Sequence, residues 1–200
     1  MTVQELKERL ISASKEVIAH EEELTLIDSQ FGDADHGLTM KKICETIIRS
    51  ADREHPTVKE LFEAVDEEVE TLNGGSAVPL WSSWLEGIAD HAPEKDSADL
   101  KELQKMFDFG RDEFDFMSGA KVGEKTIVDA LHPATDAIMA AEDENSLFTA
   151  AAEAAWEGAM KTKEFTAKFG RAKSYGEKTL GTPDAGALSM AYFFRGLAAQ

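Results

Sequence analysis

The stretch VKELFEAVDEEVETL, residues 58–72, decides the class of fold. Its apolar residues Val58, Leu61, Phe62, Val65, Val69 and Leu72 recur every three or four positions, with mostly acidic residues between them. That spacing gathers the apolar side chains on one face of an α-helix, whereas a strand would need strict alternation. The same period continues towards the N-terminus through Val3, Leu6, Leu10, Ala13 and Val17. Towards the C-terminus it runs through Leu100, Leu103, Phe107, Gly110, Phe114 and Met117, then Ile127, Leu131, Ala134 and Ile138. From Leu147 to Phe165 the apolar positions are mostly alanine, which lets helices approach closely. No window of comparable length alternates with period two.

The breaks between these stripes carry helix-opening and helix-closing residues. Pro56-Thr57 and Asp96-Ser97 can open helices, and Asn73-Gly74-Gly75-Ser76 can end one and start the next. The pattern predicts about eight helices, at roughly 2–20, 23–50 (interrupted over 28–36), 57–72, 76–91, 98–118, 125–141, 146–168 and 185–199. Short connections favour antiparallel neighbours, hence an all-α, up-and-down bundle. A chain of 200 residues suits one domain, 1–200, around one sizeable core.

Composition narrows the partners. Hydrophobic residues make up 42% and charged residues 30%, as in globular proteins. The net charge of −18 argues against nucleic acid, whose phosphates need clustered cations. A small phosphate ligand remains possible where divalent cations or backbone N–H groups receive it. No stretch approaches the ~20 apolar residues of a membrane span, and no secretory signal opens the chain. With a single cysteine, Cys44, no intramolecular disulfide can form, which suits a reducing cytoplasm. Cys44 lies in an apolar helical pattern and is expected to be buried.

Two connections are longer than the bundle needs: DSQFGDADHGLTM over 28–40 and GRAKSYGEKTLGTPDAG over 170–186. The first places the carboxylates of Asp28, Asp33 and Asp35 within eight residues, on a segment bent by Gly32 and Gly37. Hard cations take oxygen ligands, and magnesium takes them with water and phosphate in its shell. The mutual repulsion of three carboxylates is the physical reason to expect a cation. An EF-hand does not fit, since a loop begun at Asp33 puts Cys44 where the bidentate glutamate belongs. The bland alternative is that the aspartates cap the next helix and shape turns. His36 can face a phosphate oxygen or a neighbouring carboxylate.

The remaining candidates are weaker taken singly. Gly74-Gly75-Ser76-Ala77 lets a helix N-terminus approach an anion, or serves only as a C-cap and an N-cap; it is neither a Walker loop nor a dinucleotide fingerprint. Arg171 is a candidate phosphate clamp in an otherwise acidic chain. Asp184-Ala185-Gly186 holds a nucleotide's polar edge or caps the last helix.

Together these segments resemble the L subunit of bacterial dihydroxyacetone kinase and the homologous nucleotide domain of single-chain triose kinases. The resemblance rests on Leu26-Ile27-Asp28, Gly32 to Met40, Gly74 to Leu80, Gly123 to Leu131, and Gly170-Arg171 through to Ala187, in family order along nearly the whole chain. It implies a closed barrel of eight antiparallel amphipathic helices, with ADP or ATP and two magnesium ions at one rim. It assigns Asp28, Asp33 and Asp35 to the ions. It assigns His36, Gly37, Leu38, Thr39, Gly75, Ser76, Ala77, Ser118, Ile127, Arg171, Asp184, Ala185 and Gly186 to the nucleotide, with Arg171 and His36 stabilising the transferred phosphoryl group. It also implies partners: a sugar-binding K subunit, a phosphohistidine M subunit of a phosphotransferase system that rephosphorylates bound ADP, and in some members a transcription regulator. The alternatives are an ATP-dependent triose or tetrose kinase subunit and a non-catalytic regulatory module. The chain departs from the family pattern at Ala77, Val78, Ser118, Ile127 and Ala185, so the ion site is intact while phosphate and base contacts are altered.

Overall fold

The computed structural model describes residues 1–199. Among them lie nine α-helices: α1 Val3–Ala19, α2 Glu21–Asp28, α3 His36–Ala51, α4 Val58–Glu70, α5 Ala77–Asp90, α6 Leu100–Ser118, α7 Val128–Ala140, α8 Glu144–Lys161 and α9 Ala185–Ala198. Short 3-10 turns follow at Thr162–Glu164 and Arg171–Thr179. No strand forms among the described residues; one isolated bridge pairs Thr2 with Ser97.

Local chemistry sets the helix starts. Thr2 caps α1 and Asp99 caps α6, each in a capping box with the glutamate three residues on, Glu5 and Glu102. Thr57 caps α4 and Asp184 caps α9 through their side chains. The helix expected from Asp96-Ser97 therefore starts later, because Asp99 makes the cap. The helix expected over 23–50 with an interruption over 28–36 is two helices, α2 and α3, parted at that loop. The helix expected over 146–168 stops at Lys161, where the Lys125 ammonium takes the Thr162 carbonyl at 2.6 Å. The helix expected from 125 begins at Val128, because Lys125 has φ +61° and cannot be helical.

Leaving out the short α2, the other eight helices form a closed ring. In spatial order each packs on the next, α1 on α3, α3 on α4 and so round to α9, which returns to α1. Directions alternate. The N-termini of α1 and α4 join the Lys95–Asp96 segment just before α6, through Val3 N–H to Asp96 O and Val58 N–H to Lys95 O, both 2.9 Å. The Met1 ammonium meets Glu144 at the start of α8. The N-termini of α3, α5, α7 and α9 gather at the opposite rim. The barrel of eight antiparallel helices implied by the resemblance is what the chain forms.

The apolar stripes meet inside the ring. Trp81 and Trp84 of α5 pack edge-on against Phe193 of α9, at 5.1 and 5.7 Å between ring centroids, and Trp84 also faces Phe107 of α6. Cys44 is fully buried in this core. Closing the ring needs close helix contact: a Cβ on Gly87 would lie 2.6 Å from the Phe109 carbonyl oxygen, and one on Gly110 would lie 2.9 Å from that of Trp84. No helix among the described residues is long and apolar enough to cross a membrane.

Candidate nucleotide and metal site

The acidic loop is built around Asp28, the last residue of α2. Its carbonyl receives the Gly32 N–H at 2.6 Å, and its Oδ2 receives the N–H groups of Asp35 and His36 at 3.1 and 3.4 Å. Glycine at 32 leaves Asp28 its place in this tight turn, because a Cβ there would lie 2.0 Å from Asp28 Oδ1. Ala34 takes φ +61° between the next two carboxylates. Asp28, Asp33 and Asp35 thereby bring one oxygen each to within 4.8 Å of one another. Partial burial, then the charges of Asp33 and Asp28, push the Asp35 carboxyl above the usual carboxylate range. An all-oxygen donor set, crowded and mutually repelling, fits a hard divalent cation such as magnesium.

These carboxylates edge a cleft of about 550 Å³. The volume lies in the range of small-molecule sites. Four helices present their N-termini to it: α3 through Asp35 and His36, α5 through Ser76 and Ala77, α7 through Thr126 and Ile127, and α9 through Asp184, Ala185 and Gly186. The cap residues Asp35, Ser76 and Ile127 make no side-chain capping bond; among the described residues the N–H groups of Gly37 and Leu38 in α3 and Ala77 in α5 take no partner, whereas those of Val128 to Leu131 in α7 donate to Thr126 and Ile127. Converging helix dipoles and free N–H groups favour an anion, so this rim can attract one although the chain as a whole is acidic.

The residues singled out in the sequence divide by position. Asp28, Asp33, Asp35, His36, Thr39, Gly75, Ser76, Ala77, Ser118, Ile127, Arg171, Asp184, Ala185 and Gly186 all line the cleft. Gly37 and Leu38 do not. Gly37 is where α3 crosses α2, since a Cβ there would lie 2.2 Å from the Glu21 carbonyl oxygen. The Leu38 side chain is half exposed. Arg171 reaches across to Asp33, 2.7 Å from Oδ2.

His36 Nε2 lies 3.1 Å from Ser189 Oγ, which itself donates to the Gly186 carbonyl at 2.8 Å. The hydroxyl hydrogen is spent, so the imidazole donates from Nε2. Burial lowers its pKa to about 4, outweighing the nearby Asp28. His36 is therefore a neutral, oriented ring at neutral pH rather than a cation. Asp184, capping α9 through Ala187 N–H at 2.8 Å, is raised by burial to about 6.

Several residues that shape the cleft gave little signal in the sequence. Phe31 of the acidic loop packs edge-on against Tyr175, 5.3 Å between centroids. Lys125 lines the cleft from the α6–α7 connection. The resemblance includes it within Gly123 to Leu131 without a role, and its non-helical φ appears in three dimensions alone.

The all-helical ring with a carboxylate-edged, N-terminus-lined cleft at one rim defines a class of helical barrel, and comparison with known proteins places it. The DAK2 domain family model matches residues 30–199. The chain is 35% identical over 184 residues to an L-erythrulose 1-kinase of Mycolicibacterium smegmatis, covering 89% of this chain and 32% of that protein. It is 30% identical over 185 residues to the ADP-binding subunit DhaL of the PEP-dependent dihydroxyacetone kinase of Escherichia coli, covering 88% of this chain and 87% of that one. Among solved structures it is similar to the dihydroxyacetone kinase of C. freundii at 26% identity, covering 96% of this chain and 33% of that one. The TM-score is 0.76 to the native form and 0.74 to the complex with AMP-PNP and Mg2+. The chain belongs to the DAK2 domain family, and its nearly full-length match to DhaL marks it as DhaL-like. It spans about a third of the length of the erythrulose kinases it matches. These relatives bear kinase names, so the family is one of phosphotransferases.

Proposed function

We propose that this chain holds ADP or ATP with two magnesium ions in the rim cleft and presents the terminal phosphate to a short ketose bound on a separate sugar-binding K subunit. The observation that carries this reading is the meeting of three carboxylate oxygens within 4.8 Å at the edge of a cleft into which four helix N-termini open. Asp28, Asp33 and Asp35 would hold the ions, which when bound neutralise and orient the phosphates. The chain's own contribution is alignment: N–H groups of α3 and α5 donate to phosphate oxygens, and Arg171 supplies a bidentate cation. His36, neutral and fixed by Ser189, shapes the floor beside them.

Phosphoryl transfer needs charge neutralisation and positioning more than covalent catalysis, and the cleft offers both. Dihydroxyacetone is the substrate suggested by the DhaL relatives, and a tetrose such as erythrulose by the mycobacterial ones. The PEP-dependent relatives support rephosphorylation of bound ADP by a phosphohistidine M subunit. The second reading, free ATP as donor, is supported by the erythrulose kinases' higher identity.

Titration of the chain with ADP, with and without magnesium, tests the site; binding that ignores magnesium would refute it. Phosphorylation of dihydroxyacetone and erythrulose is then assayed with a DhaK-type partner, driven by ATP or by a phosphohistidine protein. Turnover with neither sugar and neither donor would leave a regulatory nucleotide module.

A further inference from the structure

The connection between α8 and α9 is a loop with a narrow neck. At the neck Gly181 N–H donates to the Lys163 carbonyl and Asp184 N–H to Thr162 Oγ1, both at 2.8 Å. Into this neck, from the α6–α7 connection, comes the side chain of Lys125. Its Nζ donates to the Thr162 carbonyl at 2.6 Å and to the Thr182 carbonyl at 2.5 Å, one on each side of the neck.

Lys125 holds that position against two costs. Its φ of +61° lies in the left-handed region, a strained conformation for a residue that bears a side chain. The residue is 5% exposed, and burial lowers its pKa although Asp184 and Asp129 favour the charge. The turn that aims it is itself braced: Asp129 accepts the N–H groups of Gly123 and Thr126, at 2.5 and 2.8 Å. Backbone strain maintained this way accumulates at functional sites.

Beyond the neck, the loop's contacts to the acidic segment are Arg171 on Asp33, Tyr175 on Phe31, and Thr182 Oγ1 donating to Gln30 Oε1 at 3.3 Å. Arg171 is 71% exposed in this pair, and exposed ion pairs fix little. The buried neck is the firmer constraint on where the loop lies.

We propose that Lys125 is a positioning residue for the nucleotide site: by joining the Thr162 and Thr182 carbonyls it fixes the 163–182 loop so that Arg171 faces the three carboxylates. The inference rests on reading the cleft as a magnesium–nucleotide site.

Calorimetry with Mg–ADP on the full chain tests it through Lys125→Met, Arg171→Ala and the double variant. If the unaltered chain shows no magnesium-dependent ADP binding, the nucleotide reading itself falls. Where it binds, Lys125→Met, folded by circular dichroism, weakens Mg–ADP about tenfold, the size of a coupling within one contact network. Because the lysine acts through the arginine, the double variant binds no more weakly than Arg171→Ala alone. Unchanged affinity in Lys125→Met, or losses that add in the double variant, overturn the proposal. Hydrogen exchange gives a second measure. The Gly181 and Asp184 amides exchange faster in Lys125→Met while α4 and α5 keep their protection; uniform loss around the barrel means a structural role only and overturns it. Should Lys125→Met not fold, Lys125→Gln enters the same cycle with the same outcomes.

Discussion

Arg171 on the α8–α9 loop and Asp33 on the acidic loop form an ion pair of 2.7 Å across the mouth of the cleft. The candidate phosphate clamp and a candidate metal ligand are thus within reach of one another. Both partners are substantially exposed, so the pair contributes at most about 1 kcal/mol to folding. Arg171→Ala is expected to leave the melting temperature nearly unchanged while weakening Mg–ADP by about tenfold or more, as loss of a charge-assisted contact to phosphate would. Affinity for adenosine should hold. Comparing the two ligands by calorimetry checks this, and equal losses for both would count against a phosphate contact.

The candidate metal site depends on the turn as much as on the carboxylates. A methyl group on Gly32 would overlap Asp28 Oδ1, at 2.0 Å. Gly32→Ala should therefore displace Asp28 and cost about tenfold or more in magnesium-dependent ADP binding, with all three aspartates still present. Asp33→Ala removes a ligand outright and should abolish the magnesium dependence. A Gly32→Ala protein that titrates like the unaltered chain would show that Asp28 does not need its observed position.

Phe31, which lines the cleft, packs edge-on against Tyr175 of the α8–α9 connection. Edge-to-face pairs contribute about 0.5–1.5 kcal/mol, so either residue changed to alanine should speed ADP release by roughly two- to tenfold. Stopped-flow displacement with a fluorescent ADP analogue reads this directly. The two single variants and the double should release at similar rates, because breaking one side of the pair already opens it.

Away from the cleft, Asp66 on α4 is half-buried and accepts from Ser82 Oγ at 2.9 Å. Burial, reinforced by Glu86, Glu70 and Asp90, raises its pKa from 3.8 to about 6. A carboxyl whose folded pKa is raised stabilises the fold while protonated. That contribution is complete below the unfolded value near pH 4 and is lost as pH rises through about 6. At pH 7 the ionised group opposes folding. Asp66→Asn should then raise stability by about 1 kcal/mol at pH 7, discounted for partial exposure, and change little at pH 4. Denaturant midpoints at the two pH values test it.

The α5–α6 seam is set by Gly87 and Gly110. Gly87→Ala places a methyl group 2.6 Å from the Phe109 carbonyl oxygen, with backbone on the opposing side. An overpacking cost of about 1–3 kcal/mol is expected, read as a lowered melting temperature. Helix propensity alone would predict a gain of up to about 1 kcal/mol, so the sign of the change decides between them.

The helices were legible because their determinants are local. The stripe from Val58 to Leu72 and the caps at Thr57 and Asp184 are written in neighbouring residues, and a period near 3.6 needs no partner to be read. The acidic loop was legible for the same reason: three carboxylates and two glycines within ten residues point to a cation wherever the loop lies. Closure of the ring was not local. It depends on α9 returning to α1, and on the Gly87–Gly110 contact, of which the sequence shows only Gly110 within an apolar stripe and says nothing of its partner.

The sequence by itself determined the helical class, the acidic loop and, through resemblance, the family, because each rests on residues close together or in fixed order. Only the tertiary structure decided which candidates share the cleft. It put Gly37 at a helix crossing and Leu38 outside, because a loop's neighbours in sequence need not be its neighbours in space. It set His36 neutral against Ser189, since burial rather than residue type governs the charge of an imidazole. And it brought Lys125 into the neck of a loop tens of residues away, a contact that no local pattern encodes.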